Sequence, residues 1–271
     1  MIEKKYNSYL LAGLIISGII ITLTIIGMFW TPYPPTAMSG AEKFQAPSLA
    51  HLFGTDNFGR DIFSRVLKGA ATTLTIAVST VAIGAVFGTL IGALTGYFGG
   101  IADDILMRLN DAVTAFPSIL LALLIISLTG SGKKYNVILA LGIVFIPSFA
   151  RLMRTSYASF RDANYIISAR LMGAGSGRIL MIHILPNTMR VLLPALTIGF
   201  NNAVLAEASM SFLGIGVAPP DASLGYMLSE AQGMFSAAPW YAVCTGLVII
   251  LLVFGVGLIG AGMQKQGSGV N

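Results

Sequence analysis

The sequence predicts an all-α polytopic membrane protein with six transmembrane helices, on three observations. It is 55% hydrophobic and only 10% charged, where soluble domains carry about 25% charged residues. Its charges leave long gaps: none falls in residues 6–41, 69–102, 112–132, 135–150, 191–206 or 231–264. Those apolar runs are continuous rather than alternating, which argues against a membrane barrel. Roughly 20 apolar residues cross a bilayer core, and a helix satisfies its own backbone there.

The first span is read at 10–30. It follows "MIEKKYNS", whose lysines suit a cytoplasmic start. It is longer than the roughly 7–15-residue core of a cleaved signal peptide, so it reads as an uncleaved helix. The second lies within 71–98 and the third at 112–129, where Asp103, Asp104 and Asp111 are expected to cap or flank it. The fourth is 136–153, the fifth 191–214 and the sixth 241–263. Pro147 and Pro194 fall inside spans, which packed membrane helices tolerate.

Six spans place both termini on one side. Lys4, Lys5, Arg108 and Lys265 share that side with Arg151, Arg154, Arg161, Arg170, Arg178 and Arg190. Opposite them stand Lys43, Arg60, Arg65, Lys68, Lys133 and Lys134. The excess, concentrated around the segment between spans four and five, makes that segment and both termini cytoplasmic. The organisation read is 1–70, an amino-terminal helix and outer loop, and 71–271, a five-helix core with a protruding loop at 157–190. The outer connections 31–70 and 215–240 hold proline clusters and read as structured loops with short helices.

The net charge of +5 needs no nucleic acid, because the membrane bias explains it. The single cysteine, Cys244, makes neither a disulfide within the chain nor a metal cluster. The methionines lie singly in apolar runs and read as core filling.

One polar island stands out: "ISARLMGAGSGRILMIHILPN", residues 167–187. Asp162 is placed to cap a helix through "ANYIISARLM", and Gly173 to end it. "GAGSG" supplies a turn, Ser176 caps a second short helix "GRILMIHIL", and Pro186 marks its end or the entry to span five. Ile166, Leu171, Ile179 and Ile182 would face the bundle or a partner protein. The connection far exceeds the roughly 2–8 residues of an ordinary helix–helix loop, so a plain linker explains it poorly.

Its glycines lack the Lys-Ser/Thr pair and preceding strand of a phosphate cradle. A second near match, "GTDNFGRD" at 54–61, sets Arg60 and Asp61 where those residues should stand, and the aspartate would repel phosphate. Asp56, Arg60, Asp61 and Arg65 suit an ion-pair scaffold, with solute contact as the other reading. His183 has no second His or Cys nearby and reads as a structural contact rather than a metal ligand. Glu207 is the one acid inside a span. Intramembrane acids default to function, so it either pairs with an arginine of 60–65 or serves as a pathway or gate residue.

The island resembles the EAA loop of permease subunits of bacterial ABC importers. Ala169, Gly173, Leu185 and Pro186 match that pattern, while Ile167, Ser168 and His183 depart from it. His183 and the Ala169, Arg170, Gly173, Ala174 core are similar to the peptide/nickel branch. So are "HLFGTDNFGRDIFSRVLKGAATTL" (51–74, including Gly54, Thr55 and Gly59), "DAVTAFPSILLAL" (111–123), "AEASMSFLGIGVAPPDASLGYML" (206–228) and "SAAPW" (236–240). Ala261 stands where that branch often carries Asp. The likeness is closest to C-type permeases of dipeptide, oligopeptide and nickel importers, and it implies a type I importer permease fold. It implies a B-type permease partner, two cytosolic ABC ATPases that hold ATP and Mg, and an extracytoplasmic solute-binding protein. This chain would hold no cofactor and catalyse nothing. Gly173 would permit the turn and close approach, Ala169 would keep the docked face slim, and Leu185 and Pro186 would fix the element to span five. The implied home is the bacterial cytoplasmic (inner) membrane. An ion-coupled secondary transporter working without ATPases is the alternative, but it needs several intramembrane ionisable groups.

Overall fold

The computed structural model describes residues 8–130 and 132–268, with side chains to 265. Lys4 and Lys5 lie outside the described residues. Among the described residues ten α-helices follow in order: α1 (Ser8–Phe29), α2 (Ile62–Phe98), α3 (Gly100–Thr114), α4 (Ser118–Thr129), α5 (Lys134–Phe160), α6 (Asn164–Leu171), α7 (Ser176–Arg178), α8 (Leu185–Phe212), α9 (Leu224–Gln232) and α10 (Pro239–Ser268). A π-helical segment, Ile179–Ile184, joins α7 to α8.

Among the described residues five runs are long and apolar enough to cross a membrane: α1, α2, α5, α10 and the continuous Ser176–Phe212. The third predicted span is different. It is broken into α3 and α4, which meet at 89°. Pro117 disfavours helical angles at Phe116 and cannot donate its own backbone hydrogen bond, so the helix stops there. At 12 residues, α4 is about 18 Å long, short of the roughly 30 Å core. The expected straight span at 112–129 is thus corrected. Asp103, Asp104 and Asp111 flank the third span along α3 without capping it, since the N-cap of α3 is Gly99. Asp103 accepts from Arg154 of α5 at 2.5 and 2.6 Å, and Asp111 from Arg151 at 3.0 Å.

The helix α2 begins nine residues before its predicted range, at Ile62, because Asp61 caps it by accepting from the Ser64 N–H at 2.7 Å. No helix occurs between α1 and α2, so the outer loop holds turns rather than the short helices expected there.

The closest packing is α2 on α5. Gly84, Gly88, Gly92 and Gly96 fall every fourth residue on α2 and turn one bare backbone face to α5. A Cβ on Gly88 would sit 2.5 Å from the Cβ of Phe149, and one on Gly92 2.5 Å from the carbonyl of Ala150. Membrane helices gain little from apolar burial against each other, so small residues that admit close backbone contact drive their association. Gly13, Gly255 and Gly262 do the same for α1 against α10.

Candidate functional site

The two ends of the bundle are built differently. At the α9 end, Gly54 and Gly59 both take φ +73, and their Cβ positions are filled by backbone of Gln45 and Ser39. Those turns fold the loop onto itself. Thr55 bridges Asp61 in an antiparallel pair, and its hydroxyl donates to the Glu42 carbonyl. Asp56 is fully buried and accepts from the Phe58 and Arg60 N–H groups at 2.8 and 3.0 Å. Both arginines then close on it, Arg60 Nε at 2.6 Å and Arg65 Nη1 at 2.7 Å.

The second acid of this knot is Glu230 of α9, which the sequence reading did not single out. It accepts from Arg60 at 3.0 Å, Arg65 at 2.6 Å and the Tyr241 hydroxyl at 2.9 Å. The available signal was a charge count: two arginines and a capping aspartate leave room for one more outer acid. Asp61 stands apart from the pairs, capping α2 and meeting His51 Nδ1 at 2.9 Å.

Glu207 is fully buried in α8, and it pairs with neither Arg60 nor Arg65. The expected arginine partner is therefore replaced by hydroxyls. Thr73 of α2 donates to it at 2.9 Å and Ser211 at 2.7 Å, with Ser223 beside them. Thr73 Oγ1 in turn accepts from the Leu224 N–H at 3.2 Å, and Ser211 Oγ from the Val217 N–H at 3.1 Å. Glu207 so ties α2, α8 and the start of α9 into one unit.

At the other end, α6 is capped by Ala163, not Asp162, whose side chain instead meets Arg161 at 3.1 Å. Ile166 and Ala169 are buried against the chain's own core. Ala169 thus sets the approach of α6 to its own protein, and is not on an outward face. Gly173 takes φ +85 with open space around its Cβ, so its need is conformational and not steric.

The predicted second short helix is not separate. Gly175, not Ser176, precedes a run that continues through the π segment into α8, with Pro186 in the first turn of α8. Within this continuous run Pro186 cannot donate back to the preceding turn, and the π segment lies immediately before it. Ile179 is buried, as is Ile166, while Leu171 at 84% and Ile182 at 60% are exposed. Met172 is 82% exposed beside Leu171. Arg170 stacks over Tyr97 and donates to its hydroxyl at 3.3 Å. Ala174 and Leu185 pack partly on the core. His183 lies half-buried in the π segment, its carbonyl accepting from Asn187 at 2.7 Å.

The fold is that of ABC transporter membrane subunits. A chain of the inward-facing MetNI methionine ABC transporter superposes with TM-score 0.59 at 22% identity, covering 76% of this chain and 96% of that one. A chain of an amino acid ABC transporter gives 0.55 at 17% identity, covering 74% and 94%. Residues 88–265 match the family described as "Binding-protein-dependent transport system inner membrane component". The chain belongs to that family. The dipeptide transport system permease protein of Alkalihalophilus pseudofirmus is 37% identical over 97% of this chain and 86% of its own length. The glutathione transport system permease protein of Pectobacterium atrosepticum is 38% identical over 92% and 84%. The chain is thus a multi-pass permease subunit of an ABC importer.

Proposed function

We propose that this subunit passes small peptides into a bacterial cell across its cytoplasmic membrane by alternating access. Both termini and α6 face the cytosol, the side favoured by the arginines around α6. Two ABC ATPases bind there and supply ATP, Mg and hydrolysis, while a B-type permease completes the pathway. A binding protein delivers solute to the α9 end. Peptides, rather than nickel or a metal chelate, are favoured by the names of the relatives, which specify dipeptide and glutathione transport.

The observation that carries this reading is the pair Leu171 and Met172. Both are bare on a segment whose Ile166 and Ile179 are buried in the core. Large apolar side chains displayed together outside the hydrocarbon mark a protein contact. A partner that moves α6 acts on α5 directly, because only residues 161–163 separate the two helices. The glycine loop at 54–61 cannot serve ATP in this chain, since Gln45, Ser39 and both arginines occupy its interior.

The test is purification from the native host followed by reconstitution. Co-isolated ATPases and a second permease, with uptake that requires ATP and binding protein, are the expected result. Uptake by this chain alone on a proton or sodium gradient would overturn the reading. Competition uptake in a deletion strain decides the solute: dipeptides should compete, and competition by nickel chelates alone would reject peptides.

A further inference from the structure

A cavity of about 440 Å³ opens on the side of the bundle between α4, α5 and α8. Small-molecule sites measure roughly 300–1,000 Å³. Its floor is Phe145 and Phe149 of α5, against Gly199 of α8. A Cβ at Gly199 would lie 2.9 Å from the Phe149 ring, so glycine is what lets that ring seat.

Each helix contributes one polar side chain to the lining: Ser118 from α4, Ser148 from α5 and Asn202 from α8. All three are exposed, and none makes a hydrogen bond among the described residues. Other hydroxyls on α5 and α8 fold back on the carbonyl four residues earlier, as Thr155 and Ser209 do. Ser148 does not. Asn202 stands roughly two and a half turns or more from either end of the 28-residue α8, and Ser148 lines the same cavity from α5, about one turn before Arg151. Free polar groups at that depth are costly against hydrocarbon, so this face meets something that can hydrogen-bond. No charged side chain lines the cavity.

We propose that Asn202, with Ser148 and Ser118, forms a charge-indifferent station for the backbone of a peptide in transit. This rests on the peptide reading above and assigns its specificity to named residues. A carboxamide offers one acceptor and two donors, the complement of a peptide unit. The phenylalanine floor accommodates apolar side chains. The absence of charge lets acidic, neutral and basic peptides pass alike, and Asn202 keeps that neutrality.

The experiment uses the whole transporter with its binding protein. Uptake of a glutamate-containing, a neutral and a lysine-containing dipeptide is compared for wild type, Asn202→Asp and Asn202→Lys. ATPase stimulation by loaded binding protein reports assembly. Asn202→Asp should raise the lysine-to-glutamate uptake ratio about fivefold over wild type, and Asn202→Lys should lower it by a similar factor, as one added charge a few ångströms from the solute requires. Ser148→Asp, on the facing helix, should shift the ratio as Asn202→Asp does, and it replaces any variant that fails to assemble. Equal loss of all three peptides, or no change, overturns the station and leaves the cavity as a contact for lipid or the partner permease. If wild type transports no peptide, the peptide reading falls and the station with it; peptide uptake without a charge pattern sinks the station alone.

Discussion

The α9 end and the α6 end solve opposite problems with the same kinds of residue. At the α9 end, Arg60 and Arg65 are spent inside the chain on Asp56 and Glu230, with Arg65 only 5% exposed. At the α6 end, Arg170 and Arg178 are exposed, and the large apolar side chains Leu171 and Met172 are bare. The first region satisfies its charges within the chain; the second leaves charged and large apolar side chains bare. Substitutions at the α9 end should therefore cost folding, and those at the α6 end should cost assembly.

The largest loss of stability is expected from Arg65→Ala. It strips Asp56 and Glu230 of a buried partner, and breaking such a pair costs about 3–5 kcal/mol. Thermal unfolding of the purified subunit in detergent should show it, and an unchanged melting curve would remove the contrast between the two ends. Next comes Glu207→Gln, which keeps the shape but gives the Thr73 and Ser211 hydroxyls a poorer acceptor. Leaving buried donors badly met costs about 1–3 kcal/mol, readable in the same melt together with faster proteolysis of residues 213–223.

Gly173→Val should cost less in the melt, about 1–2 kcal/mol confined to the turn. Yet it should abolish ATPase co-purification and uptake while leaving membrane insertion intact. Full uptake by that variant would mean the α6 turn does not couple to anything. The smallest effect is His183→Gln, whose stability should stay within about 0.5 kcal/mol of wild type and whose peptide uptake should stay within about twofold. Loss of metal uptake alone in that variant would reassign the histidine.

Much of this architecture was visible in the charge-free runs, because lipid demands long apolar helices. Helix ends were less visible. The start of α2 was missed because Arg65 and Lys68 look foreign to a membrane helix, although a buried knot and the outer surface accommodate them. The break before Pro117 stood in plain view in "AFPS", yet the apolar run around it masked the corner. The partner of Glu207 could not be read from its position along α8, since depth does not give direction. Glu230 was invisible for a related reason: its arginines lie 165 and 170 residues away in sequence. The 167–187 segment was legible as helix, turn, helix, but not that the second helix runs unbroken into α8.

The glycine ladder of α2 has a mechanical consequence. With their backbones in contact at every turn from Gly84 to Gly96, α2 and α5 resist shear and bend together as one beam. One end of that beam is clamped by Asp61 and Arg65, and the other carries α6 just beyond Phe160. In the proposed alternating-access cycle, a push on α6 would reach the far side as torque on a stiff rod rather than as slip between loose ones.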